Sequence, residues 1–409
     1  MSGNVSVPRE LAWLINKPVQ EIDTPALVID LDAMRRNVAR MAEFAKKHGI
    51  AWRPHAKTHK SAALARMLVK AGAVGACVQK VAEAEILAAG GVADIYISNQ
   101  VVALSKLARV ASLAQMLSER TGSPGRLAIA VDSTEGIIRL AQAMNDARQI
   151  AGKACVIDVY VEIDVGQGRC GVQPDAAAVT LVLELRKHAA LRFAGLQAYH
   201  GAAQHLRSLS DRREAIAQAA AAVNLTRQLI EAQGIAVERV TGGGTGCMAQ
   251  ETASGVYSEL QVGSFLFMDA DYAKNERDPA QPLFEPALYL KTQIMSTSNL
   301  YSVCDAGHKS HAIDSGLPQV ASLDSPNSAE LVYANGGDEH GIIRLADASM
   351  GHGGSAHSAL PGLGQTMWLI PGHCDPTVNL HDWMIGVSGG LRNGVVQRLY
   401  RVDGRGAYT

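Results

Sequence analysis

Short apolar runs alternate with amphipathic helical patterns from Thr24 to about Met268, and this alternation constrains the fold more than any other feature of the chain. Strands that alternate with helices pair in parallel. Eight units of roughly 20–45 residues each fit a (β/α)8 barrel, and an open doubly wound sheet is the alternative. The predicted strands are Ala26–Asp32, Ala51–Lys57, Val74–Gln79, Ile95–Asn99, Leu127–Asp132, Val156–Val165, Phe193–His200 and Val237–Gly242.

Polar side chains end nearly every predicted strand. They are Asp32, Lys57, Gln79, Asn99, Asp132, Asp164 and His200, and a glycine cluster follows the last strand. The carboxyl ends of barrel strands surround one pocket, whereas in an open sheet they are spread along an edge. Because a single pocket would account for all of these positions, the sequence favours the barrel.

After Pro279 the helical periodicity is lost and short strand-like runs follow, which predicts a second, all-β domain. We expect residues 24–274 to form the barrel and residues 275–409 the β-rich domain, with residues 1–23 packed against the latter. The predicted strands of this domain are Ala287–Met295, Asn299–Val303, His311–Asp314, Glu330–Asn335, Gly341–Leu345, Thr366–Ile370, Met384–Val387 and Val395–Val402.

Composition excludes several classes of protein. The 409 residues carry a formal net charge of -1, so no global field attracts nucleic acid or an anionic membrane. The N-terminal stretch has no signal-peptide pattern and no window has transmembrane length, so we expect a cytoplasmic protein. The six cysteines are scattered without a CxxC pair, unlike a disulfide framework or zinc knuckle.

Arg53, His55 and Lys57 alternate along the second predicted strand and should therefore point to one side of it. Three potentially cationic groups on an inner face are costly unless an anion binds there. The neighbouring cations should lower the pKa of Lys57, as an amine nucleophile requires. Lys60 is predicted as an exposed residue at a helix start. A solvated basic loop is the alternative interpretation.

Four glycines and two threonines are concentrated in the segment from Val240 to Gly246. Consecutive glycines let backbone N–H groups converge on an anion, and threonine hydroxyls add donors. After the eighth strand of a barrel, this pattern predicts a phosphate site. A flexible turn is the alternative.

Gly166 to Gly171 match the GxGxxG pattern of dinucleotide sites. Three residues separate this run from the next helical pattern, and it follows the sixth strand instead of the first. Both facts argue against a dinucleotide fold. Arg169 instead supplies a permanent cation to the mouth of the barrel.

His373 and Asp375 flank Cys374 in the segment before Pro376. Proline disfavours a helical conformation at Asp375, so we expect an extended segment in which His373 and Asp375 point to one side and Cys374 away. One imidazole and one carboxylate could hold a divalent ion; a segment without metal is the alternative. His352 and His357 are interpreted as exposed loop residues, and Asp338-Glu339-His340 as a surface turn.

Together these segments resemble the alanine-racemase-like, fold-type III pyridoxal-phosphate enzymes, and more narrowly their D-threonine aldolase and D-serine dehydratase branch. The resemblance extends from about Asp23 to the C-terminus. It is carried by DTPALVIDLDAM, RPHAKTHK, CVQKVAEAE, VEIDVGQGRCGV, GLQAYHG, TGGGTG, ELQVGSFLFMDADY, DEHG and PGHCDPTVNLHD.

The resemblance implies a role for each matching residue. Lys57 matches the Schiff-base lysine, and Arg169 the arginine that contacts the pyridine nitrogen. The other implied cofactor-binding residues are Gln79, Asn99, Tyr199, Thr241, Gly243, Gly244, Thr245, Tyr257 and Gln261. His373 and Asp375 match the metal pair. Dehydratases of this branch tend to carry His-x-Cys, so His-x-Asp implies Mn²⁺ or Mg²⁺ in preference to Zn²⁺.

The implied activity is a retro-aldol cleavage of D-β-hydroxy-α-amino acids, such as D-threonine or 3-hydroxy-D-aspartate, to glycine and an aldehyde. His200 is the first candidate for the base that removes the hydroxyl proton, and Asp338 the second. A dehydratase that yields a 2-oxo acid and ammonia is the main alternative. A non-catalytic cofactor-binding barrel and a dinucleotide oxidoreductase are more remote. We expect a homodimer that binds a small-molecule substrate and neither nucleic acid nor membrane.

Overall fold

Two β-sheets and their surrounding helices make up the protein in a computed structural model that describes residues 8–120, 125–321, 331–346 and 360–409. The strands are β1 (Ala26–Asp30), β2 (Ala51–Trp52), β3 (Ala76–Val78), β4 (Asp94–Ile97), β5 (Arg126–Val131), β6 (Ile157–Glu162), β7 (Leu191–Gln197), β8 (Val240–Gly242), β9 (Glu259–Leu260), β10 (Leu288–Thr297), β11 (Ser302–Cys304), β12 (Gln319–Val320), β13 (Leu331–Asn335), β14 (Gly341–Leu345), β15 (Thr366–Ile370), β16 (Trp383–Ser388) and β17 (Val395–Arg401). The α-helices are α1 (Arg9–Ala12), α2 (Leu31–His48), α3 (Ala62–Lys70), α4 (Val81–Ala89), α5 (Leu104–Ser118), α6 (Thr134–Ala151), α7 (Ala176–Leu185), α8 (Leu209–Glu231), α9 (Met248–Ala253), α10 (Cys374–Val378) and α11 (Gly390–Asn393). Shorter 3-10 turns span Val19–Glu21, Ala56–Thr58, Ala202–His205, Ser264–Leu266 and Tyr272–Lys274.

Eight parallel strands form the predicted barrel. Their order is β2-β9-β8-β7-β6-β5-β4-β3, and a parallel bridge between His55 and Cys77 joins the two end strands. An open sheet has no such closure, so the doubly wound alternative is excluded. Helices follow most of the strands and pack their apolar faces on the outside of the barrel. The predicted (β/α)8 architecture is confirmed.

One strand assigned to the barrel from sequence is wrong, and one barrel strand is not predicted. Strand β1 pairs antiparallel with β10 and parallel with β16, so it belongs to the second sheet. The missing barrel strand is β9, whose two residues are too few to show a periodic pattern. Asp32 is consequently not at the barrel mouth: it lies in the first turn of α2 and accepts a hydrogen bond from the Gly389 backbone N–H (2.8 Å). The glycine cluster follows the seventh barrel strand, β8, instead of the eighth.

The second sheet has nine strands in the order β13-β14-β11-β10-β1-β16-β17, with β15 on β10 and β12 on β15. This bears out the predicted β-rich domain, with one predicted strand missing: residues 311–314 form no strand. The segment from Asn16 to Val19 hydrogen-bonds to the backbone around β17. His352 and His357 lie outside the described residues.

A buried ion network occupies the barrel interior beneath the cleft. Arg53 Nε donates to Glu259 Oε1 (3.1 Å), and Arg53 Nη1 donates to Asp94 Oδ1 (2.5 Å). Burial opposes the charge of Arg53, but the two carboxylates outweigh it and raise the pKa of the guanidinium. Next to this network, Cys77, Tyr96, Ala128, Ala130 and Tyr160 form a compact apolar layer. Side chains therefore fill the barrel interior beneath the strand ends that line the cleft.

None of the helices in the described ranges combines the length and the apolar character that crossing a bilayer requires.

Candidate active site

A cleft of about 660 Å³ lies at the carboxyl ends of the barrel strands. Loops after β2, β3, β4, β6, β7, β8 and β9 all contribute to its lining, as the polar strand ends indicated. The residues predicted from sequence that line this cleft are Lys57, Gln79, Asn99, Arg169, Tyr199, Gly244, Thr245 and Gln261.

Lys57 lies in the 3-10 turn Ala56–Thr58 just after β2, and its Nζ atom is 2.9 Å from Asp375 Oδ2. The negative charge of Asp375 raises the pKa of Lys57, outweighing burial and the repulsion of Arg169. The expected lowering of this pKa is therefore wrong. Sequence reasoning counted only the neighbouring cations and had no means of locating the carboxylate.

Lys60 points away from the cleft, as the comparison with Lys57 predicted, but it is not exposed. Its side chain is only 10% accessible and pairs with Glu83 (2.9 Å). The ammonium group also lies over the ring of Tyr408, 5.8 Å from the centroid. Tyr408, in the C-terminal segment, thus covers Lys60, which the sequence predicts to be exposed.

His55 and Gln79 form one wall of the cleft. Gln79 Nε2 lies 2.9 Å from His55 Nε2, and Asn99 Nδ2 donates to the Gln79 carbonyl (3.1 Å). Burial and the positive charge of Lys57 lower the pKa of His55 well below its usual range, so this imidazole is neutral. The wall offers polar groups without adding charge.

Arg169 extends from the loop after β6, with its guanidinium 5.9 Å from the centre of the Tyr199 ring. The Asp164 carboxylate accepts hydrogen bonds from the backbone N–H groups of Gly166, Gln167 and Gly168 (3.0–3.1 Å). The N–H groups that would hold a pyrophosphate in a dinucleotide site are thus already engaged. The GxGxxG run shapes the loop that carries Arg169.

The glycine loop after β8 brings its backbone to the cleft at Gly244 and Thr245. A Cβ atom on Gly244 would lie 2.5 Å from Gln204 Oε1, so a larger residue there would have to displace the buried Gln204 side chain. Thr241, Gly243 and Tyr257 are not among the lining residues. Thr241 Oγ1 donates to Glu259 inside the barrel (2.9 Å), and the Tyr257 hydroxyl donates to the Ala198 carbonyl (3.1 Å). They support the loop from behind.

His373 and Asp375 lie at the start of α10, beside the cleft. His373 is the N-cap and Asp375 lies in the first turn, so the predicted extended segment is wrong. Proline is tolerated in the first turn of a helix, where its missing N–H has no acceptor to lose. The first turn nevertheless keeps the two side chains close enough that His373 helps to lower the pKa of Asp375.

Asp375 has the properties of a ligand held ready for a cation. Burial would raise its pKa, but the positive charges of Lys57 and His373 lower the value to about 2. Its second oxygen, Oδ1, is buried and makes no well-formed hydrogen bond among the described residues, although the Thr58 hydroxyl is near enough to help lower the pKa of Asp375. His373 Nδ1 lies 2.6 Å from Asp314 Oδ2, which fixes the ring. Within the described ranges no group of three or more His, Cys, Asp or Glu side chains could hold a metal ion.

The structure does not bring the two predicted bases to the cleft. His200 is 9% exposed, and its Nδ1 atom accepts a hydrogen bond from the Ala203 N–H (3.4 Å). Asp338 is 58% exposed and pairs with His308 (2.9 Å) and Lys309 (3.5 Å) on the surface of the second domain.

His205 lines the cleft and was missed from sequence. It ends the 3-10 turn Ala202–His205, and its Nδ1 atom is 2.7 Å from Asp271 Oδ2. Arg207 also donates to the Asp271 carboxylate, and these hydrogen bonds lower the pKa of Asp271 despite its burial. His205 Nε2 has no hydrogen-bonding partner among the described residues. The only signal in the sequence was a second histidine five residues after His200.

This arrangement of a barrel lysine, a glycine loop and a second sheet corresponds to known families. Residues 29–271 match the alanine racemase N-terminal domain, and residues 287–387 match the putative serine dehydratase domain. The chain therefore belongs to the alanine racemase N-terminal domain family.

Within this family the chain is similar to aldolases over nearly its whole length. It is 40% identical over 391 residues to D-threonine aldolase of Arthrobacter sp, covering 95% of this chain and 94% of that protein. It is 38% identical over 392 residues to 3-hydroxy-D-aspartate aldolase of Paracoccus denitrificans (strain Pd 1222), covering 94% and 93%. The crystal structure of D-threonine aldolase from Filomicrobium marinum superposes with a TM-score of 0.87 at 40% identity, covering 97% of this chain and 99% of that one. D-threo-3-hydroxyaspartate dehydratase from Delftia sp. HT23 shares the fold, with a TM-score of 0.79 at 24% identity over 94% and 98% of the two chains.

Proposed function

We propose that this protein is a pyridoxal-phosphate- and metal-dependent lyase that cleaves D-β-hydroxy-α-amino acids by a retro-aldol reaction to glycine and an aldehyde. The observation that carries the proposal is the contact between Lys57 in the cleft and Asp375 of the His-x-Asp pair (2.9 Å). A lysine for the cofactor and a carboxylate for a metal thus share one site, and both aldolase relatives match the chain nearly end to end.

The residues of the cleft fit pyridoxal phosphate. Gly244 and Thr245 bring the loop backbone to the cleft, with no side chain at Gly244 to keep a ligand away, which suits a phosphate group. Lys57 supplies the amine, and Arg169, held over Tyr199, supplies a cation for the ring nitrogen. When bound, the cofactor would accept the electron pair left on the α-carbon after the Cα–Cβ bond breaks.

His373 and Asp375 would hold the divalent metal. The Oδ1 atom of Asp375 supports this assignment, because a buried carboxylate oxygen without a well-formed hydrogen bond is costly unless a cation binds it. An oxygen ligand beside one imidazole favours Mn²⁺ or Mg²⁺ over Zn²⁺. A metal at this position would bind the β-hydroxyl group of the substrate and lower its pKa.

We assign the base to His205 instead of His200 or Asp338. Its Nε2 atom is free to take the proton of the β-hydroxyl, and Asp271 stabilises the imidazolium that forms. The Arg207 contact keeps Asp271 ionised, so the dyad is held in the state that base catalysis requires.

The side chain of Lys80 bears on the choice of substrate. It lines the cleft and takes part in no ion pair among the described residues. A second carboxylate on the substrate would find a counter-charge there. We therefore place 3-hydroxy-D-aspartate ahead of D-threonine as the preferred substrate.

Product analysis tests the proposed reaction. The purified protein, loaded with pyridoxal phosphate, is given the D and L stereoisomers of threonine and 3-hydroxyaspartate, with Mn²⁺ and then with a chelator. We expect glycine and an aldehyde from the D-isomers, loss of activity on chelation, and recovery when Mn²⁺ is restored. A 2-oxo acid and ammonia would establish the dehydratase instead. Cofactor binding without turnover of any D-isomer would favour the non-catalytic alternative.

A homodimer and a cytoplasmic location are further parts of the proposal. Both derive from the sequence and from the family resemblance. Sedimentation analysis of the cofactor-loaded protein tests the first, and cell fractionation the second.

A further inference from the structure

Glu251 is a buried carboxyl group that the proposed reaction does not use. It lies on α9, which follows the glycine loop, and its side chain is 0% exposed. Neither Oε1 nor Oε2 has a well-formed hydrogen bond among the described residues, and the backbone N–H of Gly244 is the one donor that acts weakly on the carboxyl. An ionised carboxylate in such surroundings is strongly disfavoured.

This carboxyl group lies directly behind the glycine loop. A Cβ atom on Gly243 would come within 2.7 Å of Glu251 Oε2, so the loop backbone rests against the carboxyl. The next two residues, Gly244 and Thr245, line the cleft. Whatever anion these two residues bind will therefore act on the charge of Glu251 through a single layer of backbone.

The groups that face Glu251 provide no counter-charge. They are Cys247 at the N-cap of the same helix, Tyr257 after it and Tyr199 after β7, and all three are neutral at physiological pH. Arg212 on α8 is close enough to act on Cys247, but its terminal nitrogens donate to the backbone carbonyls of Leu206, Arg207 and Glu276. Burial raises the pKa of Glu251 to about 8, and the Gly244 N–H opposes this only in part.

We propose that Glu251 is a proton-linked positioning residue for the phosphate site: the carboxyl is protonated when a phosphate dianion occupies the glycine loop, so binding takes up a proton wherever the free protein holds this carboxyl ionised. The inference rests on the proposed function, because it requires a phosphate ester at Gly244 and Thr245. The proton moves from solvent to one Glu251 oxygen, and no bond within the ligand changes. Two negative charges separated by one layer of backbone would otherwise repel each other in a poorly solvated region.

The linkage predicts how affinity depends on pH. Below pH 8 Glu251 already carries its proton, so binding is insensitive to its titration. Above pH 8 each bound phosphate must bring a proton to Glu251, and affinity falls. The loss approaches tenfold per pH unit and amounts to about 25-fold from pH 7.5 to pH 9.5.

Titration calorimetry of the full-length, cofactor-free protein tests this inference. The probe is pyridoxine 5′-phosphate, which lacks the aldehyde and cannot bond to Lys57. Binding is measured at pH 9 in two buffers of different ionisation enthalpy, which gives the number of protons taken up. Glu251→Gln is the test variant, and Glu285→Gln, on the outer surface with Arg36 and Arg40, is the matched control. Titrations of the probe and of Lys57 are common to all three proteins and cancel in the comparison.

We expect the wild type and Glu285→Gln to take up about one proton more than Glu251→Gln, and the affinity of Glu251→Gln to fall less from pH 7.5 to pH 9.5. Equal proton uptake in all three proteins would overturn the inference while leaving the proposed function intact. Failure of the wild type to bind the probe would overturn both.

Infrared difference spectra of the wild type provide a second measurement that needs no variant. Addition of the probe at pH 9 should produce a new band of a protonated carboxyl group. Addition of pyridoxine, which lacks the phosphate, should not. Absence of the band when the phosphate site is saturated would count against a protonated Glu251.

Discussion

Lys57 Nζ and Asp375 Oδ2 lie 2.9 Å apart, which joins the catalytic cleft of the barrel to the first turn of α10. The carboxylate keeps the amine protonated through one oxygen and leaves the other oxygen without a well-formed hydrogen bond. Both elements of the proposed chemistry therefore depend on a single side chain.

Replacement of Asp375 should remove the metal site. We expect Asp375→Asn to retain little Mn²⁺ after dialysis and to lose retro-aldol activity, because a neutral amide is a much weaker ligand than a carboxylate. Asp375→Cys should instead retain Zn²⁺ in preference to Mn²⁺, since thiolate is the softer ligand. Elemental analysis of the dialysed proteins measures both effects. Asp382→Asn, an exposed acid paired with Arg405, is the control, and metal content unchanged in Asp375→Asn would refute the assignment.

The assignment of His205 as the base predicts a large kinetic effect. We expect His205→Gln to lower kcat by about 10²- to 10⁴-fold, the usual contribution of a general base. His200→Gln should keep kcat near the wild-type value, because His200 does not line the cleft. Steady-state kinetics on the D-isomer measure both. A larger loss of kcat in His200→Gln than in His205→Gln would identify His200 as the base instead.

Asp271→Asn examines the same dyad by another route. Loss of the carboxylate should lower kcat, because the imidazolium that forms during the reaction loses its partner at 2.7 Å. Steady-state kinetics on the D-isomer measure the loss, which should be smaller than that of His205→Gln. An unchanged kcat would mean that Asp271 does not support the base.

The sequence predicts which residues line the cleft but not the charges that act on them. The alternation of a strand correctly predicts that Lys57, and not Lys60, faces the cleft. The strand itself is shorter than predicted, since β2 ends at Trp52 and Lys57 lies in a 3-10 turn. The direction of the Lys57 pKa depends on Asp375, which comes from the other end of the chain, and no local pattern indicates that contact. His205 was overlooked for a related reason: its role depends on Asp271, a residue on a different loop.

Arg53 should be important for stability. Replacing it with Met leaves Asp94 without its cation and Glu259 with only the more distant Arg239 (3.4 Å), and breaking a buried pair costs about 3–5 kcal/mol. Arg139→Met is the control, since Arg139 and its partner Glu135 are both exposed; surface pairs contribute about 0–1 kcal/mol. Urea unfolding of both variants gives the comparison. Equal losses would show that the interior network contributes no more than a surface pair.

Lys80 gives a prediction about substrate preference. Lys80→Met should lower kcat/KM for 3-hydroxy-D-aspartate by roughly 10- to 100-fold, the range for losing a charged hydrogen bond. D-threonine, which has no second carboxylate, should be affected much less. Competition between the two substrates measures the change directly. Parallel losses on both would mean that Lys80 contacts the α-carboxylate or the cofactor.

Glu251 should also affect stability in the cofactor-free protein. Its pKa is raised on folding to about 8, so the folded state binds more protons than the unfolded state between about pH 4.5 and pH 8. Stability therefore falls as pH rises through this window. We expect the advantage of Glu251→Gln over wild type to grow from pH 5 to pH 8 and then level off. For Glu285, whose pKa is about 2 in the folded state, the corresponding difference should stay constant over the same range.

The position of strand β1 determines where this chain could be divided into fragments. It is flanked by β10 and β16 of the second sheet and leads directly into α2, whose Asn37 side chain donates to the Glu285 carbonyl (2.8 Å). A fragment that ends near Pro279 would keep β1 but lose both of its neighbours, and two apolar strand edges would be left bare. The two halves are therefore not interchangeable modules, and recombination with a relative would have to exchange β1 together with the second sheet.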